Sequence, residues 1–106
     1  MTDQKWIEIT PEQAAEMIKQ NTELQVIDVR ERDEYMEEHI PGVTLLPLSQ
    51  LEVRHDEIDR NKDTVVICRS GGRSSRACEY LAGRGHKRLF NMNGGMLAWE
   101  GPTESE

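Results

Sequence analysis

Cysteine is scarce in this chain of 106 residues: only Cys68 and Cys78 are present, too few for a disulfide framework. Long apolar runs are missing too, and no segment approaches the ~20 residues that a membrane-spanning helix needs. The opening stretch, Met1-Thr2-Asp3-Gln4-Lys5-Trp6, has no apolar run behind a basic start and does not read as a signal peptide. Two cysteines without a secretory signal point to a reducing compartment, so the expected location is the cytoplasm, with no membrane partner. Positive charge is short as well. The net charge is −7, which makes nucleic acid a poor general partner. The sequence holds no internal repeat, no low-complexity segment, no linker, and no Cys/His spacing that suggests a metal site.

What is present suffices for folding. Hydrophobic residues make up 36% and charged residues 31% of a chain close to the commonest domain size. The expectation is one monomeric domain over residues 1–106, with Thr103 to Glu106 a frayed tail. Charge is unevenly placed along it. Residues 1–67 carry a balance of −9, residues 68–90 a balance of +5, and the remaining tail −3. A basic stretch that begins at a cysteine suggests an anionic ligand there; a solvated basic helix face explains it equally well.

Strand and helix signals alternate. Thr10 as N-cap, Pro11 at the first helical position and Gln13 completing a capping box predict a helix to about Gln20 that buries Ala14, Met17 and Ile18. Leu24 to Val29 reads as a strand, Asp33 to Glu38 as a helix, and Val43 to Leu46 as a second strand ended by Pro47. Ser49 is expected to cap a helix through about Ile58. Thr64-Val65-Val66-Ile67 is a continuous apolar run, as in a parallel strand covered on both faces. Ser74 to Ala82 reads as helix, Arg88 to Asn91 as the last strand, and Gly94 to Trp99 as a final turn or two of helix. The alternation gives an α/β domain with a mainly parallel sheet.

The chemistry concentrates in Cys68-Arg69-Ser70-Gly71-Gly72-Arg73-Ser74. A cysteine ends a buried strand, four residues follow, and an arginine opens a helix. Ligands of open α/β sheets bind at the carboxyl ends of strands. A tight loop with two glycines can turn successive backbone N–H groups inward as a nest for an anion, and the helix behind it adds its positive end. A free thiol is only a few per cent thiolate near neutrality. A helix terminus can contribute up to ~2 kcal/mol and each charge-assisted hydrogen bond ~1.5–3 kcal/mol toward the anion, so no histidine is needed as a base.

These residues resemble the rhodanese-like domains, whose loop is Cys-x-x-Gly-x-Arg followed by a helix; Cys68 to Arg73 matches it residue for residue. Asp28-Val29-Arg30, Glu34-Tyr35 and His39-Ile40-Pro41-Gly42 look like the family's upstream motif, and Asn93-Gly94-Gly95 with Trp99 like its C-terminal one. Glu38 stands where a glycine commonly precedes the histidine, a departure expected to affect only a surface turn. The resemblance implies a five-stranded, mainly parallel sheet with helices on both faces. It also implies a sulfurtransferase without a separate cofactor. Cys68 would take sulfane sulfur from an anionic donor such as thiosulfate as a covalent persulfide, then pass it to cyanide in an assay or to a cellular thiol. Arg69 would hold the donor's charge, and Arg73 would orient the loop and stabilise the anion. Ser70, Gly71, Gly72 and Ser74 complete the anion-binding loop, and Asp28 and Arg30 form supporting ion pairs beside it.

Two other functions use a similar loop. A non-enzymatic persulfide carrier would serve a sulfur-accepting partner protein. A cysteine phosphatase or arsenate reductase would place five residues between cysteine and arginine, a wider ring than the four found here. Cys78, amid Arg-Ala-Cys-Glu-Tyr-Leu, reads as a small core hydrophobe with a lesser case for a resolving thiol. His39, His55 and His86 read as structural.

Overall fold

Five strands alternate with helices in the computed structural model, which describes residues 5–106. Residues 1–4, part of the stretch that bears on a signal peptide, lie outside the described residues. The order is β1 (Ile7–Ile9), α1 (Pro11–Gln20), β2 (Gln25–Asp28), α2 (Arg32–Glu37), β3 (Thr44–Leu45), α3 (Leu51–Arg54), β4 (Thr64–Ile67), α4 (Gly72–Gly83), β5 (Leu89–Met92) and α5 (Gly95–Ala98). The strands form one sheet, β1-β5-β4-β2-β3, and every pairing in it is parallel. No helix among the described residues is long and apolar enough to cross a membrane.

The central strand β4 explains why its sequence is apolar without alternation. Val66 faces a core that also holds Ile27, Val29, Leu51, Ala77, Cys78 and Leu81, contributed in part by α3 and α4. Val65 and Ile67 face a second core with Ile9, Ala14 and Met92, closed by Met17 of α1 and by Trp99. Each face of the sheet therefore has its own helical cover, and β4 is buried along its whole length. Helix α1 begins as its capping box predicts, with the Gln13 N–H donating to Thr10 Oγ1 at 3.0 Å and the Thr10 N–H to Gln13 Oε1 at 2.8 Å.

Three expectations need correction. A fifth strand, β1, has no counterpart among the segments read as strands; it is three residues long and lies at the sheet edge with Ile7 and Glu8 exposed. The helix expected from Ser49 to Ile58 is a 3-10 turn (Leu48–Gln50), the four-residue α3 and a second 3-10 turn (His55–Glu57). The inward positions 48, 51, 55 and 58 are spaced three, four and three apart, which suits a 3-10, α, 3-10 succession. Ser49 caps nothing there and donates instead to Glu31 at 3.0 Å. The tail expected to fray is tied down. Glu104 and His39 exchange backbone hydrogen bonds of 2.9 and 2.8 Å, and the buried His39 ring meets Glu104 Oε2 at 3.1 Å.

His86 is buried, and neither ring nitrogen has a hydrogen-bond partner among the described residues. Burial, then the charges of Arg60 and His55, push its pKa down, against a smaller pull from Asp59. The unfolded chain therefore binds the proton more readily, so stability is full above the ordinary histidine range and falls as pH drops through it. His86→Leu is expected to raise unfolding free energy by about 1–2 kcal/mol at neutral pH, from relief of unpaired polar atoms. The gain should widen toward pH 5. Urea unfolding of both forms across that range would measure it.

Candidate active site

Cys68 follows β4 directly and sits at the carboxyl end of the sheet's central strand, 1% exposed. Its loop is short because Gly71 takes a left-handed conformation, φ +107°, which caps α4 at Gly72. The helix thus starts two residues before the expected Ser74, and Arg73 already lies in its first turn. The Gly71 N–H donates to Cys68 Sγ at 3.0 Å, and Ser74 Oγ lies 3.3 Å from the same sulfur. Arg69 and Ser70 are exposed, Gly71 and Arg73 are half-buried, and Ser74 is fully buried. Of the seven residues singled out in the sequence, Gly71 and Ser74 thus reach the Cys68 sulfur itself.

Burial alone would push the Cys68 thiol up. The Ser74 hydroxyl, then the backbone N–H groups of Ser74, Gly71 and Ser70, outweigh it and hold the thiol below its ordinary value. Ser74→Ala removes the first of these opposing groups. Alkylation of Cys68 by iodoacetamide should then be several-fold slower at neutral pH, with its pH inflection moved upward. An unmoved inflection would leave the backbone amides as the whole cause. Cys78 lies in the opposite situation. It is fully buried in α4, and burial, followed by the charges of Glu8 and Cys68, pushes it up to about 12. It is a neutral core thiol at any working pH.

Asp28 and Arg30 form the ion pair expected of them. Arg30 Nη2 lies 2.8 Å from Asp28 Oδ2, both side chains are buried, and the same nitrogen donates to the Glu38 carbonyl at 2.7 Å. Glu38 itself is extended, φ −165°, so that turn does not demand glycine and the departure from the family pattern is accommodated.

Sequence reasoning missed three groups that hold the loop. Glu34 of α2 grips Arg73 at both terminal nitrogens, 2.7 and 2.8 Å. The Arg73 hydrogen bond, against a smaller burial cost, brings the Glu34 carboxyl down to about 2. Asn91 on β5 donates to Ser75 Oγ at 3.0 Å, and Ser75 Oγ in turn donates to the Gly71 carbonyl at 2.9 Å. The first turn of α5 clasps the loop from above, with the Met96 N–H on the Cys68 carbonyl at 2.9 Å and the Leu97 N–H on the Arg69 carbonyl at 3.0 Å.

A cleft of about 400 Å³ opens beside the loop, lined by Arg30, Glu34, Glu37, Glu38, Arg69, Met96 and Leu97. It is less basic than the +5 stretch suggests. Arg30 and Arg73 each carry their own carboxylate. Arg84 folds over the Tyr80 ring at 5.1 Å, and Arg88 pairs with Asp63, both toward the amino end of β5 and away from the loop. Of the two arginines that line the cleft, Arg69 alone has no ion-pair partner among the described residues. A thiolate ringed by N–H and O–H donors, with one free cation at its side, can act as a nucleophile toward a small anion.

Residues 10–102 match the family model described as rhodanese-like domain. A sulfurtransferase of Allochromatium vinosum is 35% identical over 92 residues, covering 87% of this chain and 86% of its own. A thiosulfate sulfurtransferase of Coxiella burnetii, GlpE, is 30% identical over 88 residues, 83% of this chain and 81% of its own. The crystal structure of a rhodanese-related protein from Thermoplasma volcanium superposes with a TM-score of 0.86 at 30% identity, covering 95% of this chain and 100% of that one.

Proposed function

This chain belongs to the rhodanese-like domain family, and on that premise we propose that it transfers sulfane sulfur through a persulfide on Cys68. The observation that carries the reading is the convergence of the Gly71 N–H and the Ser74 hydroxyl on Sγ itself. Those donors favour the thiolate before reaction and again when it leaves. In the first step the Cys68 thiolate attacks the outer sulfur of an anionic donor such as thiosulfate. An S–S bond forms to Sγ, the donor's S–S bond breaks, and sulfite departs with the electron pair. In the second step cyanide or a thiolate attacks the outer sulfur of the persulfide, and Sγ leaves again as thiolate. No separate cofactor enters the scheme. Arg69 meets the donor's charge, and Arg73, held by Glu34, orients the loop. Asp28 and Arg30 brace the wall behind it.

Loop size favours sulfur over phosphorus. Four residues separate Cys68 from Arg73, and the donors close on the sulfur atom rather than on the oxygens of a tetrahedral group above it. The test is the intact mass of the protein after incubation with thiosulfate. One added sulfur is expected, lost on addition of cyanide with release of thiocyanate. A protein that stays unmodified by thiosulfate yet is loaded by a persulfidated protein donor would be a carrier, the second reading of the same loop. Hydrolysis of an aryl phosphate by the unmodified enzyme would overturn both.

A further inference from the structure

We propose that Glu34 is a positioning residue that sets how strongly the Cys68 loop holds anions, by neutralising Arg73 and leaving Arg69 as the single uncompensated cation at the donor site. The inference rests on the reading of Cys68 as the reacting thiol and adds to it a control on donor and product binding.

Three observations carry it. The Arg73 guanidinium opens α4 within the loop, and it raises the question of what anion its fork holds. Both terminal nitrogens go to the two oxygens of one carboxylate, Glu34, at 2.7 and 2.8 Å, the paired geometry in which guanidinium and carboxylate bind best. The pair is only partly exposed, 33% for Arg73 and 29% for Glu34, so water does not screen it fully. The second observation is that two arginines line the cleft, Arg30 and Arg69, and Arg30 is likewise matched by its own carboxylate, Asp28. The third is that Glu37 and Glu38 also line the cleft and have no ion-pair partner among the described residues. The donor therefore meets Arg69 and the backbone donors, not a triad of arginines.

Weak holding has a chemical use. Thiosulfate, sulfite, sulfate and phosphate are all small oxyanions, and a site with three bare arginines would retain any of them. Sulfate and phosphate carry no sulfane sulfur and would occupy the loop to no effect, while sulfite, the spent product, must leave before the acceptor enters. Pairing Arg73 with Glu34 keeps its guanidinium in place as a structural fork while its charge is withheld from the ligand. Because the Glu34 carboxyl lies near 2, that neutralisation persists across the working pH range.

The test does not need turnover. Inorganic sulfate or phosphate, by occupying the loop, should slow alkylation of Cys68 by neutral iodoacetamide, and the midpoint of that protection reports anion binding directly. Glu34→Gln keeps the shape and the acceptor that caps α2 through the Glu31 N–H, but removes the charge. The sulfate midpoint is expected to fall about tenfold in Glu34→Gln, as for one added unscreened charge contact of ~1.4 kcal/mol. It should return to the parent value in Glu34→Gln with Arg73→Gln. For thiosulfate the expected signature is a lower KM, with slower sulfite release visible as a lower kcat. A purely structural role would leave KM unimproved. If Glu34→Gln does not fold, Arg69→Gln decides, because Arg69 is exposed and outside the core. With Arg73 neutralised, its loss should abolish anion protection. An unchanged midpoint in Glu34→Gln, or protection within twofold of the parent in Arg69→Gln, overturns the proposal. A protein that shows these shifts but gains no sulfur from thiosulfate would instead count against persulfide transfer and leave the role of Glu34 standing.

Discussion

Replacing Cys68 by serine is expected to lower sulfur transfer by about 1000-fold or more, while Cys78→Ala keeps it within about threefold of the parent. The contrast comes from where the two thiols sit. Cys68 ends the central strand with an N–H and a hydroxyl on its sulfur, and the sum of those contacts lowers its pKa in spite of burial. Serine fits the same space, but its oxygen cannot form a persulfide and is barely ionised at neutral pH. Cys78 is fully buried among aliphatic side chains in α4 and is pushed up to about 12, so it is not available as a thiolate. Its removal should register in stability, with a cost of about 1 kcal/mol for the small cavity. Both variants can be assayed by thiocyanate formation alongside a thermal melt. If Cys78→Ala loses as much activity as Cys68→Ser with an unchanged melt, a resolving role for Cys78 would have to be taken up again.

The parts of this fold that were legible in the sequence are those written in adjacent residues. Helix α1 is announced by Thr10-Pro11-Glu12-Gln13, and its capping box is formed as read. Strand β4 shows as four successive residues of apolar or β-branched type, and it is buried on both faces as that pattern implies. The loop was legible because strand, cysteine, glycines and arginine follow one another without interruption. What was hidden depends on residues far apart. Glu34 and Arg73 are 39 positions apart in the chain, and no local pattern ties a carboxylate in α2 to the first turn of α4. The charge count of the basic stretch misleads for the same reason, since its partners Glu34 and Asp63 lie outside it. Strand β1 was hidden because three residues at an edge, two of them exposed, give too little pattern to read. The tail was expected to fray on its terminal position alone, and its contact with His39, 65 positions upstream, leaves no local mark.

Gly95→Ala is expected to disturb the site by about 100-fold in rate, second only to loss of the cysteine, although residue 95 carries no chemistry. Gly95 follows Gly94 at the start of α5, and both have positive φ, +56° and +78°. A methyl group at 95 would lie 2.4 Å from the Cys68 carbonyl oxygen and 2.5 Å from the carbonyl carbon and oxygen of Arg69. Those are backbone atoms of the loop, so no side chain can swing aside to make room. The next two residues tighten the constraint, because the N–H groups of Met96 and Leu97 hold the same two carbonyls at 2.9 and 3.0 Å. To relieve the overlap, α5 must rise from the loop and break both bonds, or the loop must sink toward the core and carry Sγ away from the Gly71 N–H and Ser74. The left-handed conformation adds a cost of order 1–3 kcal/mol for a residue with a Cβ. A displacement of about 1 Å at a reacting atom can cost ~100-fold in rate, and the loop has to move by at least that much to restore normal contact. The variant should therefore melt several degrees lower, transfer sulfur about 100-fold more slowly, and alkylate at Cys68 with its pH inflection raised. That last change separates a displaced loop from a merely less stable protein, since loss of stability alone would leave the inflection of the folded fraction where it was. An Ala variant with the parent's rate and inflection would mean that α5 can lift without moving the loop. The clasp between Met96 and the Cys68 carbonyl would then have no part in holding the thiol.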